Sequence, residues 1–372
     1  MSFIRCRTVL SRPLASGLPI ARTAWIPVRQ IQTRVSQKPS RHNPLRQPPQ
    51  RQPEPILDQE HYTHKVYFEE EVPEIFEPPN VKVKFLVPAI WALTVSTGVY
   101  VSLAYLTAKD EMLEVGSSRL VEGNWVPTRK PSSAPYVNRG PPTPTEVASR
   151  AWRELDPMSR LSWSLIGFSG AVHLGGLAWR SAWANLWHVP ASNRNFTLLT
   201  STFVHSGPLH LAINAYAIYN FLPPTGYSRL FHGDTYHMLS FFLSTGIISG
   251  LAQHVASTVF KRHGAWSARI PSGGASGALF ALFGAFCMEY PASGVGIILI
   301  PYHVEAQYFL PMVMLFDFVG MVRGYPGVRL GHAAHLGGAC LGVVYSYFDG
   351  HTNVWRPLVD FWKRHLKNKP VA

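Results

Sequence analysis

Gly331-His332-Ala333-Ala334-His335-Leu336-Gly337-Gly338 opens an apolar stretch that runs to Phe348, and Gly273-Gly274-Ala275-Ser276-Gly277 opens another that runs to Glu289. Each sets strongly polar side chains, Ser276 in one and His332 and His335 in the other, at the start of a segment too poor in charge to be an ordinary surface helix. Both carry small residues at every fourth position: Gly273, Gly277, Ala281 and Ala285 in the first, Ala334, Gly338 and Gly342 in the second. Such ridges let helix backbones approach closely in lipid, so these two helices are expected to touch. Ionisable groups at membrane depth are costly, which makes each a functional candidate.

Working outward, the uncharged run Phe85–Ala108 lies between Lys82 and Lys84 on one side and Lys109, Asp110 and Glu111 on the other. At about 1.5 Å per residue it can cross a hydrocarbon core of about 30 Å. After a polar, Pro-rich connector over 109–160, further apolar segments follow at Leu161–Trp179, Pro208–Leu222, Tyr236–Phe260, Gly273–Glu289, Tyr308–Val322 and Gly331–Phe348. The expected architecture is an all-α membrane protein, one N-terminal transmembrane helix (85–108) followed by a six-helix core (161–350), with a basic C-terminal tail over 351–372. Trp179, Trp183 and Trp187 recur beside Arg180 and His188, a stripe that predicts an amphipathic helix lying in the membrane interface.

The net charge of +13 and pI of about 9.8 invite a nucleic-acid reading, but the charge is not spread over a folded face. Residues 1–53 hold ten Lys and Arg and no acid before Glu54, which leaves 24 basic against 21 acidic residues in the remainder. No nucleic-acid partner is expected. An Arg-rich, Ser-containing, acid-free N-terminus without a long apolar run has the character of a mitochondrial transit peptide. Residues 54–84, rich in Pro and Gln and then acidic, read as a disordered linker. The three cysteines, Cys6, Cys287 and Cys340, form no disulfide framework and are assigned no chemistry.

Ser276, His335 and His210 each fall within about a turn of the start of their helix. Those are the second, fourth and sixth core helices, which run in one direction, so the three groups are expected at one depth near one membrane face. A serine needs a neighbouring base to become a nucleophile, and His335 on the close-packed neighbour can serve. The oxyanion formed on attack needs fixed donors, and His210 and Asn214 in His210-Leu211-Ala212-Ile213-Asn214 share one helical face. Gly-x-Ser-Gly alone is unspecific. It is not the elbow of soluble hydrolases, because position 278 is Ala and no strand precedes it. Asp317, His173 and His254 are further intramembrane candidates. Asp317 could orient a histidine, although such a group more often satisfies a neighbouring helix or a buried water. His335 is preferred to His332 because its face continues through Gly338 and Gly342, and His205 is expected to hydrogen-bond structurally near the entrance.

Over about residues 161–350 the sequence resembles the rhomboid family, which places a Gly-x-Ser-Gly serine in the fourth core helix, a His before small residues in the sixth, and His-x-x-x-Asn in the second. Within that family Gly331–Gly338 is similar to the mitochondrial, presenilin-associated branch. The resemblance implies an intramembrane serine endopeptidase of the mitochondrial inner membrane, with Ser276 and His335 as a dyad without an acid and His210 and Asn214 lining the oxyanion hole. It implies single-pass membrane proteins as substrates, cleaved near the end of their transmembrane helix, with no metal and no cofactor. Targeting logic puts the site toward the matrix leaflet, against a contrary bias of Lys and Arg among the loops. Two other classes fit parts of the pattern. A catalytically silent relative that binds helices should lack the dyad, and a helical transporter should spread its polar groups across the bilayer.

Overall fold

The computed structural model describes residues 4–6, 81–123, 143–260, 264–297, 300–327 and 330–368. Most of the expected targeting segment 1–53, most of the linker 54–84 and the middle of the connector lie outside them. The chain is predominantly helical, and among the described residues three helices are long and apolar enough to cross a membrane: α1 (Leu86–Gly123), α3 (Pro157–Ala178) and α7 (Thr235–Val259). Between α1 and α3 lies α2 (Pro144–Glu154), and between α3 and α7 come the short α4 (Arg180–Ala184) and α5 (Thr197–Thr200) and then α6 (Pro208–Gly226). After α7 follow α8 (Ser276–Glu289), α9 (Ala306–Val322), α10 (His332–Tyr347) and α11 (Arg356–Lys367). A small antiparallel sheet pairs β1 (Ile4–Cys6) with β2 (Gly294–Ile297), and β2 with β3 (Val304–Glu305). The segment expected to be a targeting peptide therefore enters the described fold as one strand.

Local chemistry explains where the helices begin. Asp156 caps α3, its carboxylate accepting the Met158 and Ser159 amides at 3.0 Å each ahead of Pro157 in the first turn. Burial by itself would raise the carboxyl, but these bonds and the Tyr227 hydroxyl outweigh it and hold Asp156 at about 2. Asp234 caps α7 in the same way and also accepts the Trp355 indole N–H at 2.8 Å and the Thr107 hydroxyl at 3.1 Å. One carboxylate thus ties α1, the start of α7 and the C-terminal segment together.

Three expectations are corrected. Helix α1 does not stop at Ala108 but runs on through Lys109, Asp110 and Glu111, because charge marks a lipid boundary and Lys, Glu, Met and Leu are good helix formers. The connector holds α2, started by a reciprocal capping box between Thr143 and Glu146. The residues read as a basic tail form a π-helical turn, His351–Trp355, and then α11, whose Val359 and Trp362 pack on α1. There Trp362 donates to the Val101 carbonyl at 2.9 Å, and Arg356 and Lys363 pair with Glu111. The apolar stripe of α11 was present in the sequence beneath its basic composition.

The tryptophan stripe is broken up as well. Helix α4 spans five residues, Trp183 and Trp187 meet edge to face at 5.2 Å, and Trp179 is the one of the three left largely exposed. Two rings serve internal packing, and the third keeps the interface character expected of all three.

The helix pair α8 and α10 is the tightest in the fold, as the small-residue ridges predict. A Cβ on Gly338 would stand 2.1 Å from the Gly277 carbonyl oxygen, and one on Gly342 would stand 1.9 Å from that of Ala281. No side chain fits there. Gly273 belongs to the loop before α8, so the ridge on that helix begins with Gly277. Gly342→Ala is expected to destabilise the protein by about 1–3 kcal/mol through overpacking. Thermal unfolding in detergent should register the loss, with Gly98→Ala on the open face of α1 as a neutral control.

Candidate active site

Ser276 is the first residue of α8, and its helix has no side-chain cap. The amides of that first turn have no partner within the helix, and the positive end of the helix dipole falls on the serine. His335, the fourth residue of α10, points its Nε2 at the Ser276 oxygen from 3.0 Å. The imidazole stacks on Phe280 of α8, with ring centres 4.1 Å apart and planes 3° from parallel. Its position therefore follows from the helix contact as well as from the hydrogen bond.

Behind the imidazole stands Asp317 of α9, buried to 1% exposure. Its Oδ1 lies 3.3 Å from His335 Nδ1 and 2.6 Å from His332 Nδ1. From sequence alone Asp317 is expected chiefly to satisfy a neighbouring helix or a buried water, and the structure puts it in contact with both histidines. Its spacing along α9 carries no signal for that, because which face of α9 meets α10 depends on the loop between them.

The His210 ring lies over Gly274. That glycine has φ +133°, and a Cβ on it would stand 2.8 Å from the ring. The Gly274 N–H donates to the Ser201 carbonyl at 2.8 Å, which fixes the loop entering α8. His210 also meets Ser206 through Nδ1 at 3.2 Å. Asn214, a turn further into α6, is buried and gives one amide hydrogen to the His210 carbonyl at 2.7 Å, leaving the second for a ligand. Ser276, His335 and His210 thus meet where the N-termini of α6, α8 and α10 converge, while Asn214 stands deeper and is partly committed to its own helix.

His205, expected to form a structural hydrogen bond, sits edge-on against His210 with ring centres 5.1 Å apart. Burial, and then the neighbouring His210, push its imidazole down to about 4. His254 belongs to a separate relay. It donates through Nε2 to the Lys84 carbonyl at 2.9 Å, and its Nδ1 accepts from His188 Nε2 at 2.9 Å. His173 joins neither set of bonds.

Residues 192–352 match the Rhomboid domain family model. This part of the chain is similar to a rhomboid domain. Among curated proteins, the presenilin-associated rhomboid-like protein, mitochondrial, of Rattus norvegicus is 31% identical over 204 residues, covering 50% of this chain and 51% of the relative. That of Homo sapiens is 31% identical over 204 residues, covering 50% of each. The presenilin-associated rhomboid-like protein A, mitochondrial, of Danio rerio is 34% identical over 184 residues, covering 48% of this chain and 44% of the relative. The chain spans about half the length of the curated relatives it matches. With its apolar helices and mitochondrial relatives, it is a multi-pass mitochondrial membrane protein. The rhomboid match contains Ser276, His335, His210, Asn214 and Asp317.

Two measurements bear on the geometry. Gly274→Ala forces a side chain into a backbone conformation L-residues rarely adopt and against His210, so it should lower the melting temperature, with a loss of about 1–3 kcal/mol. The second concerns pH. Burial, and then His254, hold His188 at about 3, well below its ordinary 6.5. A base depressed in this way stabilises the fold above pH 6.5 and loses that contribution as the pH falls toward about 3. Melting temperature should therefore drop over that window, less steeply in His188→Gln.

Proposed function

We propose that this chain is an intramembrane serine endopeptidase of the mitochondrial inner membrane, with Ser276 as nucleophile and His335 as general base. The observation that carries the reading is the 3.0 Å approach of His335 Nε2 to Ser276 Oγ across two helices in backbone contact. His210, the second amide hydrogen of Asn214 and the free amides at the start of α8 are the donors for the oxyanion.

In the reaction, His335 takes the Ser276 proton as the oxygen attacks a peptide carbonyl, and the negative charge that develops on the carbonyl oxygen is met by those donors. The tetrahedral species collapses, His335 gives its proton to the leaving amine, and the acyl-serine ester remains. Water activated by the same imidazole then hydrolyses the ester. The substrate class is a single-pass membrane protein that enters laterally and unwinds near the end of its helix, since a helical peptide bond is shielded by its own hydrogen bonds.

The proposed topology is one plus six, with α6, α8, α9 and α10 crossing as well as α1, α3 and α7. Helices that carry Gly, Ala and the polar site score low in hydropathy yet suit close packing in lipid. Residues 1–53 are proposed as a transit peptide, whose removal would take away the β1 strand that pairs with β2, followed by a linker to residue 84, and the site as opening toward the matrix leaflet. A transporter fits poorly, because Ser276, His335, Asp317 and His332 gather at one set of helix ends and, among the described residues, no hydrogen-bonded path links them to the separate cluster around Asp234.

Ser276→Ala should abolish cleavage of a helical substrate by purified protein in detergent while leaving the melting temperature near that of the wild type. His210→Ala should lower kcat about 100- to 1,000-fold, as expected for loss of one oxyanion donor. Turnover by the Ser276→Ala protein at the normal rate would refute the assignment.

A further inference from the structure

We propose that Asp317 and His332 act as a positioning pair for His335, so that the dyad is backed by a carboxylate which a second imidazole holds in place. The inference rests on the reading of Ser276 and His335 as nucleophile and base. The observation that carries it is the convergence of two imidazoles on one oxygen: His332 Nδ1 at 2.6 Å and His335 Nδ1 at 3.3 Å from Asp317 Oδ1.

To take a proton from Ser276, His335 must offer an unprotonated Nε2, so its ring hydrogen sits on Nδ1 and points at Asp317. Attack turns the ring into an imidazolium, and a carboxylate in a site poor in water favours that charge. The shorter of the two bonds goes to His332. That imidazole therefore fixes where Oδ1 stands, and the longer bond to His335 is free to shorten when the base becomes charged.

His332 is itself held mechanically. It is 2% exposed, and its ring fills a slot over Gly320, where a Cβ would lie 2.5 Å from the nearest ring atom. Phe316 and Tyr325 flank it, each with its ring centre 5.6 Å away. Asp317 and Gly320 stand three apart on α9, and His332 and His335 three apart on α10. Each pair lies on one helical face. One helix thus offers a carboxylate and a slot, and the other offers the ring that fills the slot and the ring that does the chemistry. A tie between α9 and α10 alone would use the His332 bond and leave His335 out.

The test uses the full chain in detergent, a helical single-pass substrate, and separate measurement of kcat, KM and melting temperature. Asp317→Asn should lower kcat about 100-fold with KM within about twofold, a smaller loss than the roughly 10⁴-fold cost of removing the acid in a serine protease triad. His332→Ala should lower kcat about tenfold. His332→Asn, whose side-chain N–H can replace the Nδ1 donor, should restore it to within about threefold. Gly320→Ala, which removes no polar group, should act like His332→Ala by displacing the ring. If Asp317→Asn fails to fold, the His332 pair and Gly320→Ala decide. Wild-type kcat in His332→Ala and Gly320→Ala, or a loss in His332→Ala that His332→Asn does not repair, overturns the inference while an inactive Ser276→Ala keeps the parent reading intact. Activity of Ser276→Ala would instead remove the parent reading itself.

Discussion

Backbone meets backbone between α8 and α10, and the placement of Ser276 and His335 follows from that contact. Gly338 stands over the Gly277 carbonyl and Gly342 over that of Ala281, at separations that exclude any side chain. In lipid, burying apolar surface between helices gains little, because the surrounding chains are as apolar as leucine, so dispersion and close fit must hold the pair. The same closeness brings an imidazole carried by one helix to a hydroxyl carried by the other, and it lets Phe280 lie flat against the ring. A wider crossing would separate these groups without breaking either helix.

Much of this was legible in the amino-acid order. The small-residue ridges predicted which helices touch, and the position of Ser276, His210 and His335 near the start of parallel helices predicted a common depth. Helix limits came within a few residues where Pro, Asp or Gly marks an end. The chain's fine details were less readable. Asp317 reaches both histidines because of how α9 turns against α10, and no local spacing encodes that rotation. The C-terminal helix was hidden because Lys363, Arg364 and Lys367 give the segment the composition of a solvated tail, although Val359, Trp362 and Leu366 recur at helical intervals. Asn214 shows the opposite limit: a side chain sharing a helical face with His210 can still spend part of its hydrogen-bonding capacity on its own helix.

Two clusters of polar groups stand at opposite ends of the helices. At one end Ser276, His335, Asp317 and His332 make a connected set, and at the other Asp234 collects Thr107, Trp355 and the first amides of α7. His237 stacks on Trp355 there, with planes 8° apart, and donates to or accepts from Tyr345 at 2.7 Å. Networks of this kind offset part of the cost of burying polar atoms, while the second ring nitrogens of His332 and His237 stay buried without a partner among the described residues.

Helix α1 is fastened just before its start, through the Lys84 carbonyl to His254, and again near its middle, through Thr107 to Asp234, and it lies along α7 between them. It behaves as a stave set permanently into the wall. Over half of the most apolar stretch of α7 is already covered, against less than a quarter in α1 or α3. That flank of α7 is closed to any other helix, because α1 already occupies it.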